Sequence, residues 1–228
     1  MKLLLIAAER REFEGISNIT PANVEGVHWA ASTKFGEHEV FLTANGAGAQ
    51  RAGAAAKLGA QAFRPDAIVS TGYCGALDPA YQIADIVVAT LVHSDNTVAF
   101  TCTPASPRPF HSGPVATVDH VAGTSAEKER LRVSGAVAVE MEAAGVSRMA
   151  KTLCLPFFCI RTVTDLAQED MANDFNAALR NDGHFDTMKL LTGALCRPVT
   201  RVPELLRLKN RARQAARSLG AFLVDCRF

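Results

Sequence analysis

Two stretches of this chain carry side chains able to break a bond. One is Val139-Glu140-Met141-Glu142-Ala143-Ala144-Gly145. The other is Phe158-Cys159-Ile160-Arg161-Thr162-Val163-Thr164-Asp165. In the first, a strand runs into a helix at paired acids; in the second, an apolar strand ends on a lone aspartate. Open α/β sheets hold ligands at the carboxyl ends of their strands, so three carboxylates are expected together there. Such a cluster suits a small polar molecule: one acid to donate a proton and others to accept hydroxyl hydrogens. Asp165 closes a strand where a carboxylate has no packing role, and a partly dry site would suit it to proton donation. Its residue type fits a helix N-cap equally well. Glu140 and Glu142 would share one face on a strand and diverge on a helix. Two acids here also fit simple attraction to a helix N-terminus. Glu12, among Glu9, Arg10, Arg11 and Glu14, reads by itself as a solvated residue of the first helix.

The elements that must position these groups follow from periodicity and punctuation. Strands are expected at Lys2–Ala7, Gly26–Ser32, Glu37–Ala44, Asp66–Ser70, Asp85–Leu91, Ala136–Val139 and Phe157–Val163. Helices are expected at Ala49–Phe63, Ser125–Arg132, Met141–Leu153, Thr187–Leu195 and, after Pro198, Val202–Phe222. Gly72–Pro79 reads as a turn, and Ser94–Ser112, with Pro104, Pro107 and Pro109, as a surface loop. Strands alternating with helices predict a single three-layer α/β domain: a central mixed, mostly parallel sheet flanked by helices.

Length and composition narrow the function classes. The chain has 228 residues, 48% of them apolar and 21% charged, with net charge +1. That suffices for one large core, and no global field draws the protein to nucleic acid or anionic surfaces. The six cysteines show no C-x-x-C spacing and the six histidines no ligand spacing, so reduced thiols, no metal and a cytoplasmic location are expected. No apolar run approaches a membrane span. Asn45-Gly46-Ala47-Gly48 opens a helix and could offer backbone N–H groups to a ligand. It is neither a dinucleotide fingerprint nor a P-loop. Thr71-Gly72-Tyr73-Cys74-Gly75 could admit a substrate close to the backbone or simply form a tight turn.

Taken together, Met1–Glu12, Asn45–Gly48, Pro65–Leu77 with Ala84–Ala89, Val139–Ala143 and Arg161–Asp165 resemble the nucleoside phosphorylase and nucleosidase superfamily. The similarity is to the branch of methylthioadenosine/S-adenosylhomocysteine nucleosidases and runs from Met1 to about Leu195. The resemblance implies cleavage of the N-ribosidic bond of a purine nucleoside, by hydrolysis rather than phosphorolysis, without cofactor or metal. It makes Asp165 the acid that protonates N7 of the base. Glu12 would activate water and Arg161 help to hold it. Glu142 would accept the ribose hydroxyls and Met141 pack on the sugar, with Glu140, Thr164, Gly72, Tyr73 and Val121 completing the site. A protonated leaving group and carboxylates beside an oxocarbenium-like sugar follow the logic of glycosidases.

The pattern departs from the family at two places. Tyr73 stands where the nucleosidases have serine, and Thr117–Val121 replaces the segment whose aromatic ring stacks on adenine. A phosphate-dependent phosphorylase and a non-catalytic nucleoside-binding protein are the alternatives. The family's phosphorylases carry an arginine near the glycine turn, which Ser70–Cys74 lacks; Arg10, Arg11 and Arg51 are possible substitutes.

Residues 1–198 are expected to form the catalytic domain and 199–228 a basic amphipathic helical extension of it. Arg201–Phe222 carries six cations against Glu204 alone. Its apolar positions (Leu205, Leu208, Ala212, Ala216, Leu219, Phe222) fit a helix docked on the domain, on a partner subunit, or on a membrane surface through residues 201–222. The extension is similar to that of the hopanoid-associated branch, which acts on adenosylhopane. A homodimer or higher homo-oligomer is expected from the resemblance.

Overall fold

The computed structural model describes residues 1–228. In chain order the elements begin with β1 (Lys2–Ala7), a 3₁₀ turn (Arg10–Phe13), β2 (Thr20–Ala22), β3 (Trp29–Phe35), β4 (His38–Ala44), α1 (Ala49–Phe63) and β5 (Ala67–Ala76). There follow β6 (Ile86–Ser94), β7 (Thr97–Phe100), β8 (His111–Thr117), α2 (Ser125–Val133), β9 (Ala138–Glu140) and α3 (Ala143–Thr152). The chain ends with β10 (Phe157–Asp165), α4 (Phe175–Ala178), α5 (Thr187–Leu195) and α6 (Pro198–Asp225).

Strand β1 explains the layering. Leu4 and Ile6 join Ala52, Ala55 and Ala56 of α1 and Ala144 and Val146 of α3 in one core. Leu3, Leu5 and Ala7 face the opposite core, with Phe13 and with Leu219, Phe222 and Leu223 of α6. Successive side chains alternate faces, and both faces are apolar, so the strand must be covered on both sides. The result is the three-layer α/β fold expected from the sequence.

The sheet is mixed. β1 lies parallel between β4 and β5, and β10 runs parallel to β5. β10 also pairs antiparallel with β6, and β6, β8 and β9 return to β5, closing a ring of five strands. This closure decides where the chemistry sits. Gly75 of β5 is partnered by Asp165 on one side and by Val139 on the other, so the two acidic stretches meet at one strand end.

Several local expectations are corrected. The Gly72–Pro79 turn is still strand up to Ala76, because β5 has ladder partners on both sides there. The Ser94–Ser112 loop contains β7, hairpinned onto β6, and the first residue pairs of β8. The helix expected from Met141 starts at Ala143, and the first helix is a single 3₁₀ turn. α6 is longer than expected: it starts with Pro198 in its first turn, a position that needs no N–H donor, and continues through Pro203 to Asp225.

Candidate active site

The strand end opens into a cavity of about 610 Å³, a typical volume for a small-molecule site. Glu12, Tyr73, Met141, Glu142, Thr164 and Asp165 all line it. Its remaining wall comes from loops after β8 and β10 and from α5 and α6.

Arg161 organises the buried side. It is fully buried on β10, and its Nη1 donates to Thr71 O (2.9 Å) and to Glu142 Oε2 (3.4 Å). Nη2 donates to Ser70 Oγ (2.6 Å) and pairs with Glu140 Oε2. Glu140 lines the cavity too, but its carboxylate is engaged by protein partners. Its Oε2 accepts from the backbone N–H of Glu142 (2.9 Å) and Ala143 (2.8 Å), and its Oε1 from the Thr117 hydroxyl. It thereby seals the N-terminus of α3 and leaves Glu142 to face the cavity. The two acids are both buried but do different work.

Glu142 Oε1 accepts from Gly48 N–H (3.1 Å) at the start of α1. This contact requires α1 and α3 to touch. A Cβ on Gly145 would lie 1.7 Å from Ala49 O, so only glycine permits the crossing. Burial, then the neighbouring Glu140, raises the Glu142 carboxyl from 4.5 to about 7, with Arg161 opposing.

Glu12 is buried, against the solvated reading of its segment. Its Oε1 accepts from Glu9 N–H (2.8 Å) and its Oε2 from Tyr73 N–H (3.2 Å). Gly72, at φ +131°, makes room: a Cβ there would stand 1.9 Å from Glu12 Oε2. Desolvation, followed by the Glu142 charge, pushes the Glu12 carboxyl from 4.5 up to about 8, again against Arg161. Two high-pKa carboxyls over one buried guanidinium can accept a proton near neutrality, which an ordinary glutamate cannot.

Asp165 stands across the cavity, paired with Gly75 just after a register shift that follows Val163. Thr164 Oγ1 donates to its Oδ1 (3.1 Å) and to Cys74 O (3.3 Å). The strand end holds a countercharge: Lys128 Nζ lies 2.6 Å from Asp165 Oδ2. Asp165 does not cap a helix; Asp174 and Asp186 cap α4 and α5.

Tyr73 lines the cavity beside Glu12. Its hydroxyl donates to Ala212 O of α6 (3.0 Å), so the side chain ties the helix to the site. Val121 is held by Asn176, whose Oδ1 accepts from Val121 N–H (2.7 Å) and whose Nδ2 donates to Val121 O (2.9 Å). Near it Phe175 and Phe185 meet edge to face, 5.9 Å between ring centres, both lining the cavity. These aromatic rings were invisible in the sequence, where nothing periodic marks the segment after Asp165. Lys128 was missed for the opposite reason: Ser125-Ala126-Glu127-Lys128-Glu129-Arg130 reads as wholly solvated, yet Lys128 is completely buried. Of the candidate phosphate-binding arginines only Arg11 lines the cavity, and each of the three has a protein partner. Arg10 lies over Trp29, Arg51 donates to Asn181 O, and Arg11 pairs with Glu9 (2.7 Å).

Comparison with known proteins finds relatives of similar sequence and solved structures of the same fold. The 5'-methylthioadenosine/S-adenosylhomocysteine nucleosidase of Staphylococcus epidermidis is 28% identical over 163 residues, 59% of this chain and 72% of the relative. That of Staphylococcus aureus is 27% identical over 172 residues, 63% and 75% of the two chains. Among solved structures, the Streptococcus pneumoniae MTA/SAH nucleosidase with 8-aminoadenine superposes with TM-score 0.71 at 18% identity, covering 99% of this chain and 98% of its own. Futalosine hydrolase of Helicobacter pylori gives TM-score 0.71 at 17% identity, covering 98% and 95%. The family signature described as the phosphorylase superfamily matches residues 2–102 and 98–186. This chain is a member of the phosphorylase superfamily.

Proposed function

We propose that the protein hydrolyses the N-ribosidic bond of a purine nucleoside. The observation that carries this reading is Glu12: a buried carboxyl at the Gly72 backbone, raised to about 8 and facing the same cavity as Glu142 and Asp165. A phosphate dianion placed beside Glu12 and Glu142 would meet two acids, and Arg161 already holds Glu140 and Glu142. A water molecule there meets a base. In this reading Glu12 removes a proton from water, Glu142 accepts the ribose hydroxyl hydrogens, Met141 packs on the sugar and Asp165 delivers a proton to the base. The purine class is taken from the names of the similar nucleosidases. Chromatography of methylthioadenosine, S-adenosylhomocysteine, adenosine, inosine and guanosine after incubation, with and without phosphate, tests it. Base release independent of phosphate is the expected result; release only with phosphate would replace it with phosphorolysis.

A lipid-linked nucleoside of the adenosylhopane kind is a second substrate reading, favoured by α6. Leu205 and Leu208 line the cavity, while Leu195, Val199, Val202 and Leu206 are exposed close by in sequence to Arg197, Arg201 and Arg207. No helix is long and apolar enough to cross a membrane. Surface contact is tested by vesicle sedimentation of the wild type and an L195Q/V199Q/L206Q variant; equal partitioning would remove the membrane reading. We take the protein to be a cytoplasmic homo-oligomer, consistent with six unpaired cysteines and with exposed Met188 and Leu191 on α5. Light scattering of the purified chain checks the oligomer.

A further inference from the structure

Lys128 is the only buried residue of α2, and it touches the proposed acid from behind. Its Nζ lies 2.6 Å from Asp165 Oδ2 and donates to Leu166 O at 2.7 Å. Asp165 lines the cavity, and Lys128 does not. A buried ammonium is costly unless paired, and Asp165 is the carboxylate that pairs it, 2.6 Å away. The charges around the pair are few. Asp170 and the Glu169–Arg211 pair lie on the loop after β10 and on α6, Glu127 is the adjacent residue of α2, and the Cys74 thiol of β5 is held neutral by burial.

We infer that Lys128 is the proton reservoir of this site and acts on the base through Asp165. The inference rests on the hydrolytic reading above. As the bond between the sugar and N9 breaks, its electron pair moves into the purine and N7 becomes basic. A Lys128 N–H breaks in favour of Asp165 Oδ2, leaving its electron pair on Nζ, and the carboxyl O–H so formed breaks in favour of N7, which restores the Asp165 carboxylate. Glu12 takes the proton released by the attacking water. The base departs neutral, and solvent exchange returns one proton from Glu12 to Lys128. Lys128 is thus a positioning and proton-supplying residue, not one that touches substrate.

The test compares wild type, K128M, K128R, D165N and K128M/D165N on whichever nucleoside the wild type cleaves, measuring kcat, KM and melting temperature from about pH 5 to 9. K128M should lower kcat at least ~100-fold at neutral pH with KM nearly unchanged, and its residual rate should climb as the pH falls. K128R restores the charge but holds its proton too tightly to pass it on, so it should not restore kcat. Because Lys128 acts through Asp165, the double variant should be no slower than D165N. That comparison also removes the unpaired charge that could unfold K128M. Wild-type-like turnover in K128R would reduce Lys128 to a countercharge and overturn the relay. So would losses that add in the double variant, or a loss carried by KM. An inactive wild type would instead refute the hydrolytic reading itself.

Discussion

At the residue scale, the site works by holding carboxyls where water cannot stabilise their charge. Glu12 is the clearest case, and its pH dependence has a definite sign. Its ordinary value is 4.5 and its folded value about 8, so the folded state binds the extra proton between those limits. Its contribution to stability is therefore complete below about 4.5 and is lost as the pH rises through about 8. Replacing Glu12 by Gln should abolish hydrolysis. It should also flatten this dependence, so that the melting temperature of the wild type falls relative to E12Q between about pH 5 and pH 8.5 in calorimetry. Asp165→Asn should lower turnover at least ~100-fold, the low end of positioned proton transfer, and should lower the melting temperature because it leaves the buried Lys128 ammonium unpaired; near-normal turnover would remove Asp165 from the mechanism. The residue types and order of these acids were legible in the sequence. Their partners were not, because Lys128, Ser70 and Thr117 come from elements remote in sequence.

At the element scale, the decisive contacts are where α1 meets α3 and where β5 meets β10. The alanine stripe of α1 and Gly145 of α3 predict a close crossing only once the helices are known to be neighbours. Adding a methyl at Gly145 must push the N-termini of α1 and α3 apart, because Ala49 O occupies that space. Overpacking of this kind costs about 1–3 kcal/mol, a fall of the order of 5 °C in a chain of this size. Gly145→Ala should show that fall by thermal melting and should weaken substrate binding more than a control with room for a methyl such as Gly193→Ala. Unchanged KM would mean that the Gly48–Glu142 contact does not shape substrate binding. Most element positions were readable from apolar runs and caps: α1 and α5 fall where periodicity placed them. Gly72 misled, since glycine in a sequence signals a turn, whereas here it sits within a ladder to admit a carboxylate.

At the scale of the whole molecule, α6 joins two roles that the sequence kept apart. Its C-terminal half fills the second core through Leu219, Phe222 and Leu223, and its middle walls the cavity through Leu205, Leu208 and Ala212. Glu204, the one acid of the basic stretch, is buried and accepts from Ala172 and Asn173 N–H at 2.8 Å each. Deleting residues 199–228 should therefore give an unfolded or aggregated chain by circular dichroism, not a folded enzyme lacking a tail; a cooperative melt of that truncation would count against this packing. By itself the sequence determined the three-layer α/β class, because strands apolar on both faces must be covered on both sides. It also determined the acids at the strand ends, because motif order survives without coordinates. Only the tertiary structure decided which acid is an anchor, which faces the cavity and which is paired with a buried lysine. Burial, close backbone approach and countercharge arise between segments far apart in the chain, and no local pattern records them.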